Sequence, residues 1–356
     1  MFLSKDEKIT KRRYTEMEEK KIVFYNPKEA PFEIFGLYEP KSEETYKRLP
    51  DEVGMNVSEG VASVYRHTAG GRVRFATDSS SITIRVKYPA PDIMYHATHL
   101  MENGFDLYID GENRSRFAGS FIFSYSETRE YESKFPRPLP EGDKEFTINF
   151  PLYGGVESLE IGLDEGARIW AHTPYKHDVP IVFYGSSITQ GGCAARPGLS
   201  YEARISREYD CDYINLGFSG SARAEDIIVD YMAGLKMSAF VSDYDHNTPS
   251  DEHLKNTHYK MYEKIRAKNP DIPYIMITKP DFKFHTVDMS RRDIIMQSYL
   301  KARENGDNNV WFIDGSSFFA FGDRGDYTVD ATHPTDVGFE RMALMIGHVI
   351  REIFKW

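Results

Sequence analysis

Between residues 72 and 163, apolar side chains fall on every second position in several short stretches. Residues 72–76 (Arg-Val-Arg-Phe-Ala), 81–87, 144–150 and 158–163 share this period, that of strands with one buried face. Gly70-Gly71, Asp110-Gly111 and Glu141-Gly142-Asp143 separate them as turns. Many short strands punctuated in this way predict a β-sandwich.

After Pro180 the pattern changes. Apolar runs of three or four residues occur at 181–184, 213–216, 239–241, 274–277 and 310–313, and runs this short suit central strands covered on both faces. Helical spacing lies between them: Ala224, Ile227, Ile228, Tyr231 and Leu235, then Leu254, His258, Met261, Tyr262 and Ile265. The second of these helices is expected to start with Thr248 as cap, Pro249 in the first helical position and Asp251 in the third. Phe339, Met342, Ile346, Val349 and Ile353 predict a final helix packed on the sheet. Strands alternating with helices give an α/β fold with a doubly wound parallel sheet. The chain thus divides into a lead-in (residues 1–29), a jelly-roll-like β-sandwich (30–175) and an α/β domain (176–356). Which domain the lead-in packs against is left open.

Composition narrows the function. The formal net charge of −11 argues against a nucleic-acid partner, because phosphate binding needs a basic surface. No stretch approaches the roughly 18 apolar residues of a membrane-spanning helix, so no membrane association is expected. The N-terminus is charged and lacks the apolar core of a secretory signal; with only Cys193 and Cys211 as cysteines, a cytoplasmic location is expected. Nothing in the sequence fixes an oligomeric state or a protein partner.

In a doubly wound sheet, ligands gather beyond the carboxyl ends of the strands. Ser187 follows the run 181–184 through Gly185 and Ser186, where a tight strand-to-helix connection can expose a nucleophilic hydroxyl and offer an oxyanion its own backbone N–H. Such Ser/Gly turns are common, so the turn alone proves little. Near the end of the chain stands Asp330-Ala331-Thr332-His333-Pro334. Histidine suits the general base that a serine needs, and Asp330, three positions away, can orient and stabilise the imidazolium. Ser187, His333 and Asp330 together form a candidate triad. Gly220, after the second apolar run, can present an unhindered N–H, and Asn247, after the third, has a side-chain amide suited to a developing oxyanion. Otherwise Gly220 merely shapes a turn and Asn247 a loop. His246 beside Asp243 and Asp245 raises a metal site, but the catalytic histidine work already falls to His333. No metal and no cofactor are expected.

These blocks resemble those of the SGNH, or GDSL-type, hydrolase superfamily. Residues 185–189 (Gly-Ser-Ser-Ile-Thr) look like its first block, Gly220 matches the glycine of the second, Asn247 the asparagine of the third, and residues 330–334 the last. Ser186 departs from the Asp that many relatives carry, but it is not a triad member. Residues 104–108 (Gly-Phe-Asp-Leu-Tyr) resemble the Gly-x-Asp-Leu-Tyr signature of a subgroup with an N-terminal β-sandwich, which extends the resemblance across most of residues 30–356. The resemblance implies a serine esterase like the bacterial carbohydrate esterases, acting on an acetylated carbohydrate or another small ester, with the sandwich helping to form the cleft. Trp170, near the domain junction, is the candidate sugar-contacting ring; burial between the domains is its alternative. A lipase or general carboxylesterase, an acyltransferase to a sugar or other alcohol, and a non-catalytic carbohydrate-binding protein are the competing functions.

Overall fold

In the computed structural model, residues 20–89, 94–111, 115–123, 129–280, 289–320 and 322–356 are described. The first half is two antiparallel sheets face to face. One runs β1 (Ile22–Tyr25), β9 (Ser158–Asp164), β4 (Ile82–Lys87), β7 (Glu130–Lys134). The other runs β10 (Ile169–Trp170), β3 (Arg72–Thr77), β8 (Lys144–Asn149), β5 (Asp106–Asp110), β6 (Arg116–Ser120), with β2 (Glu33–Phe35) also paired to β3. Val73, Phe75, Ile82, Ile84, Leu107, Phe146 and Ile161 fill the space between them and are fully buried. Short helices α1 (Asp51–Gly54), α2 (Glu59–Val64) and α3 (His99–Asn103) lie in the connections. Part of the lead-in, Ile22–Tyr25, is itself a sandwich strand, pairing with β9 from Ile22↔Asp164 to Tyr25↔Ile161.

The alternation in β3 needs one correction. Its polar face does not meet water: Arg72 and Arg74 are 1% and 5% exposed. The α/β domain covers that face, and Arg72 pairs with Asp212 and donates to the Tyr213 carbonyl at 3.2 Å. Period-two patterning reports that two faces differ, not that one of them is wet.

The second half is a five-stranded parallel sheet in the order β12 (Cys211–Gly217), β11 (His177–Gly185), β13 (Ala239–Asp243), β14 (Tyr274–Ile277), β15 (Val310–Ile313). Successive side chains of β11 point to opposite faces. Ile181 and Phe183 pack with α5 (Tyr201–Tyr209) and α9 (Asp336–Phe354), while Val182 and Tyr184 pack with α6 (Asp226–Ala233), α7 (Asp251–Lys268) and α8 (Ser290–Glu304). Burial on both faces is why these strands read as unbroken apolar runs. The α7 cap differs from expectation. Thr248 Oγ1 donates to the Asp245 carbonyl at 2.8 Å, and Ser250 caps instead, accepting from His253 N at 3.1 Å. Pro249 favours an extended residue before it, which delays the helix. In α6 the buried side is Ile228, Val229, Met232 and Ala233, leaving Ile227 at 44% exposure. Ala224 lies outside the helix at φ 55°.

The Gly-Phe-Asp-Leu-Tyr stretch joins the halves. Leu107 enters the sandwich core, whereas Asp106 and Tyr108 turn toward the loop before α5. Buried Asp106 accepts from Arg196 Nη1 at 2.7 Å, from Gly198 N at 2.9 Å and from Asn149 Nδ2 at 2.8 Å. Tyr108 OH accepts from Arg196 at 2.6 Å. Among the described residues, no helix is long and apolar enough to cross a membrane.

Candidate active site

The sheet order reverses at β11, which has β12 on one side and β13 on the other, so a crevice opens beyond its carboxyl end. There Gly185 passes into α4 (Ser187–Gln190). A Cβ at Gly185 would lie 2.3 Å from the Asp243 carbonyl oxygen and 2.0 Å from Thr189 Oγ1, so this crossing admits only glycine. Ser186 caps α4, its hydroxyl accepting from Ile188 N at 3.1 Å. This is the local bond by which serine serves at a position where many relatives carry aspartate. Ser187 is the first helical residue, and a first-turn amide has no partner within its helix.

Ser187 Oγ donates to His333 Nε2 at 2.8 Å, and His333 Nδ1 donates to Asp330 Oδ2 at 2.8 Å. The donor assignments follow from the network, since the carboxylate can only accept. Asp330 Oδ1 accepts from Thr332 N at 3.0 Å and His333 N at 2.8 Å, a tight loop that places Ala331 at φ 63°. Burial alone would raise the Asp330 carboxyl, but the bonds from His333 and Thr332 outweigh it and hold the group below its ordinary value. An ionised Asp330 is the form that orients the imidazole.

The loops after the first three parallel strands are laced together. Phe218 N donates to the Gly185 carbonyl at 2.8 Å, Ser186 N to the Asp243 carbonyl at 3.2 Å, and Ser219 N to Gln190 Oε1 at 3.0 Å. Gly220 sits at φ 69° with no atom within 4 Å of where a Cβ would stand, so its left-handed backbone is what favours glycine. Asn247 Oδ1 accepts from Ala222 N at 3.4 Å, which leaves Nδ2 as the donor side of the amide.

Several contributors escaped the sequence reading. Tyr153, from the sandwich, donates to the Ser187 carbonyl at 3.3 Å, and Gln190 donates to the Leu152 carbonyl at 3.1 Å. His96, also from the sandwich half, brings Nε2 to 3.8 Å from Asp330 Oδ2, with its ring 5.4 Å from that of His333. Tyr153 and His96 lie on connections, and Gln190 ends the one-turn helix α4, too short to show a period. Trp170 is not in this group. It sits on edge strand β10 opposite Ala76, with the Arg168 guanidinium 5.3 Å from its ring centre.

Asp243, Asp245 and His246 do not form a cluster of metal-ligating groups among the described residues; those that do converge are His96, Cys193 and His333, with ligand atoms within 4.8 Å of one another. This trio suits a metal poorly. Both His333 nitrogens are already engaged, by Ser187 and Asp330.

Beneath α4 lies Asp243, wholly buried, with Thr189 Oγ1 at 3.4 Å and Tyr201 OH at 3.5 Å from Oδ2. Burial first, and then the charge of Asp245, push its carboxyl up to about 8. A group whose folded pKa is raised contributes stability that is present below the unfolded value, about 4, and lost as pH rises through the folded one. Asp243→Asn keeps the shape without the charge. Its melting temperature relative to wild type should therefore climb between about pH 4 and pH 8 and level off above that. A constant offset across that range would contradict this account.

A parallel sheet whose order reverses at β11, with a serine, a histidine and an aspartate in hydrogen-bonded series beyond that strand, defines an SGNH-type hydrolase domain, here preceded by an antiparallel sandwich. Residues 178–351 match the GDSL-like Lipase/Acylhydrolase family, and residues 22–169 match the N-terminus of the SGNH hydrolase-type esterases. The chain belongs to the GDSL-like lipase/acylhydrolase family, in its two-domain form. No curated protein matches it. A candidate GDSL-like lipase from Bacteroides ovatus is 28% identical, with a TM-score of 0.84 over 94% of this chain and 98% of that one. A salicylyl-acyltransferase from a tetracycline biosynthetic pathway is 19% identical, with a TM-score of 0.74 over 91% and 95% of the two chains. A family two carbohydrate esterase from Clostridium thermocellum, solved with cellohexaose, is 14% identical, with a TM-score of 0.60 over 94% and 100%.

Proposed function

We propose that this protein is a serine esterase that removes O-acetyl groups from a carbohydrate through an acyl-enzyme on Ser187. The unbroken series Ser187 Oγ–His333–Asp330, with both links at 2.8 Å, carries the reading. Ser187 Oγ attacks the ester carbonyl while His333 Nε2 takes its proton, and Asp330 stabilises the imidazolium. The tetrahedral oxyanion is held by the amides of Ser187 and Gly220 and by Asn247 Nδ2. Collapse breaks the bond to the sugar oxygen, which leaves with the proton from His333. Water, deprotonated by His333, then releases acetate and restores the serine.

The choice of a sugar ester rests on likeness of fold to a carbohydrate esterase solved with an oligosaccharide, and on the sandwich half bringing His96 and Tyr153 to the Ser187–His333 pair. The test has two parts. A fluorophosphonate should label Ser187 in the folded protein, and absence of labelling would sink the esterase reading. Rates on aryl acetate, butyrate and octanoate should fall sharply with acyl length, and acetylated oligosaccharides should release acetate. A flat or rising profile would favour a lipase or general carboxylesterase instead.

Asn247→Ala should lower kcat about 10²–10³-fold with little change in KM, since the lost donor acts on charge that develops only in the transition state. A rise in KM at constant kcat would make Asn247 an ordinary substrate contact.

A further inference from the structure

At the opposite end of β11 from Ser187, the two domains enclose a cavity of about 430 Å³. Arg74 of β3 lines it from the sandwich side, with His172 and Tyr175 from the segment linking the domains; Arg207 of α5, His177 of β11 and Trp356 line it from the α/β side. His177 begins the strand that Gly185 ends. At about 3.3 Å per residue, the cavity lies roughly 26 Å from the Ser187 turn.

Arg74 sets the chemistry. It is 5% exposed, and its Nε and Nη1, together carrying three N–H bonds, have no acceptor among the described residues. Nη2 stands 3.4 Å from His172 Nε2, a nitrogen it shares with the Asp110 carboxylate 2.9 Å away, while His172 Nδ1 donates to the Thr173 carbonyl at 2.6 Å. The neighbouring carboxylates are committed elsewhere: Asp110 also accepts from Thr147 Oγ1 at 2.6 Å, Glu145 from Thr173 N at 2.8 Å, and Asp212 from Arg72. Tyr175 covers one face of the guanidinium, with its ring centre 3.7 Å away. This π-face attracts the cation but satisfies none of its in-plane donors. A buried guanidinium whose in-plane donors are unmet among the described residues is costly even with carboxylates nearby, and an anion entering beside it gains charge-assisted hydrogen bonds in a site of low dielectric.

We propose that this junction cavity is a second binding site, distinct from the ester-cleaving crevice, for a small oxyanion of the carboxylate or phosphate class held by Arg74. Its occupant touches both domains, so it stiffens the junction without meeting the reacting ester.

Calorimetric titration of the full chain with inorganic phosphate and, separately, with acetate distinguishes the two sources, sodium chloride at equal ionic strength being the control. At least one of the two should bind saturably at one site per chain. Arg74→Met, checked for native circular dichroism, should weaken that binding tenfold or more. A second variant set keeps Arg74 intact. With Trp170→Phe and Trp311→Phe, Trp356 is the remaining tryptophan; it stacks on His177 at 3.9 Å at the cavity wall. Its emission should change along the same titration curve. Overturning results are no saturable binding of either anion beyond the chloride control, binding unchanged in folded Arg74→Met, or binding that leaves Trp356 emission constant.

Discussion

Ser187→Ala should hydrolyse an aryl acetate at least about 10³-fold more slowly than wild type while melting within about 1 °C of it. The first half of this expectation follows from the series of bonds to His333 and Asp330, in which Ser187 Oγ is the only member able to form a stable acyl ester. The second half follows from what holds the turn in place. The Ser187 carbonyl accepts from Gly192 N at 2.8 Å and from Tyr153 OH at 3.3 Å, and Ser186 rather than Ser187 caps α4. Deleting one oxygen leaves these bonds intact and opens almost no space. His333→Ala should be about as damaging, since the hydroxyl then has no base. Asp330→Asn should retain more activity, because Asn can still accept from the backbone amides of Thr332 and His333, though it loses the charge that stabilises the imidazolium. Paired losses should fall far short of multiplying, because the three groups act as one device. Full turnover by Ser187→Ala would end the acyl-enzyme account outright.

What the sequence made legible depended on how each residue is buried. Strand β14 coincides with the run 274–277 because a central strand covered on both faces is written as an unbroken apolar stretch; β15 coincides with 310–313 although it is the sheet edge and leaves Trp311 37% exposed. The pair Asp330 and His333 was legible because it is local: three residues and a tight loop are enough to bring the two groups together. Ser187 could be paired with them because both segments follow strands of one parallel sheet, and the block order of a known family added to that; 146 residues separate it from His333, and no periodicity encodes their meeting. Tyr153, His96 and Gln190 were invisible for the same reason, being polar or amphipathic side chains on connections or, for Gln190, at the end of a single helical turn. The burial of Arg72 and Arg74 was misjudged because two arginines alternating with apolar residues look like a solvated face until a second domain covers them. Trp170, read from the sequence as a candidate sugar-contacting ring with burial between the domains as its alternative, stands on edge strand β10 beside Arg168, a placement set by strand pairing that no local pattern announces.

The Gly-Phe-Asp-Leu-Tyr stretch was read as a mark of kinship, and the structure gives it a physical task that predicts a large loss of stability. Asp106 is 0% exposed on its side chain and Arg196 16%, so their ion pair lies between the domains rather than on the surface. Removing one partner of such a pair strands the other's charge, at a cost of about 3–5 kcal/mol. Asp106→Ala also removes the acceptor for Gly198 N and Asn149 Nδ2. We therefore expect its melting temperature to fall by about 10 °C. Arg196→Met should cost a similar amount by leaving Asp106 charged and buried, although Gly198 N and Asn149 still serve it. The decisive measurement is the double-mutant cycle in denaturant. If the two side chains act mainly through each other, Asp106→Ala with Arg196→Met will be less destabilised than the sum of the single variants, by 1 kcal/mol or more, of the order seen for contacting residues. Strict additivity would mean that each residue stabilises its own domain separately, and that the motif is not the clasp between them.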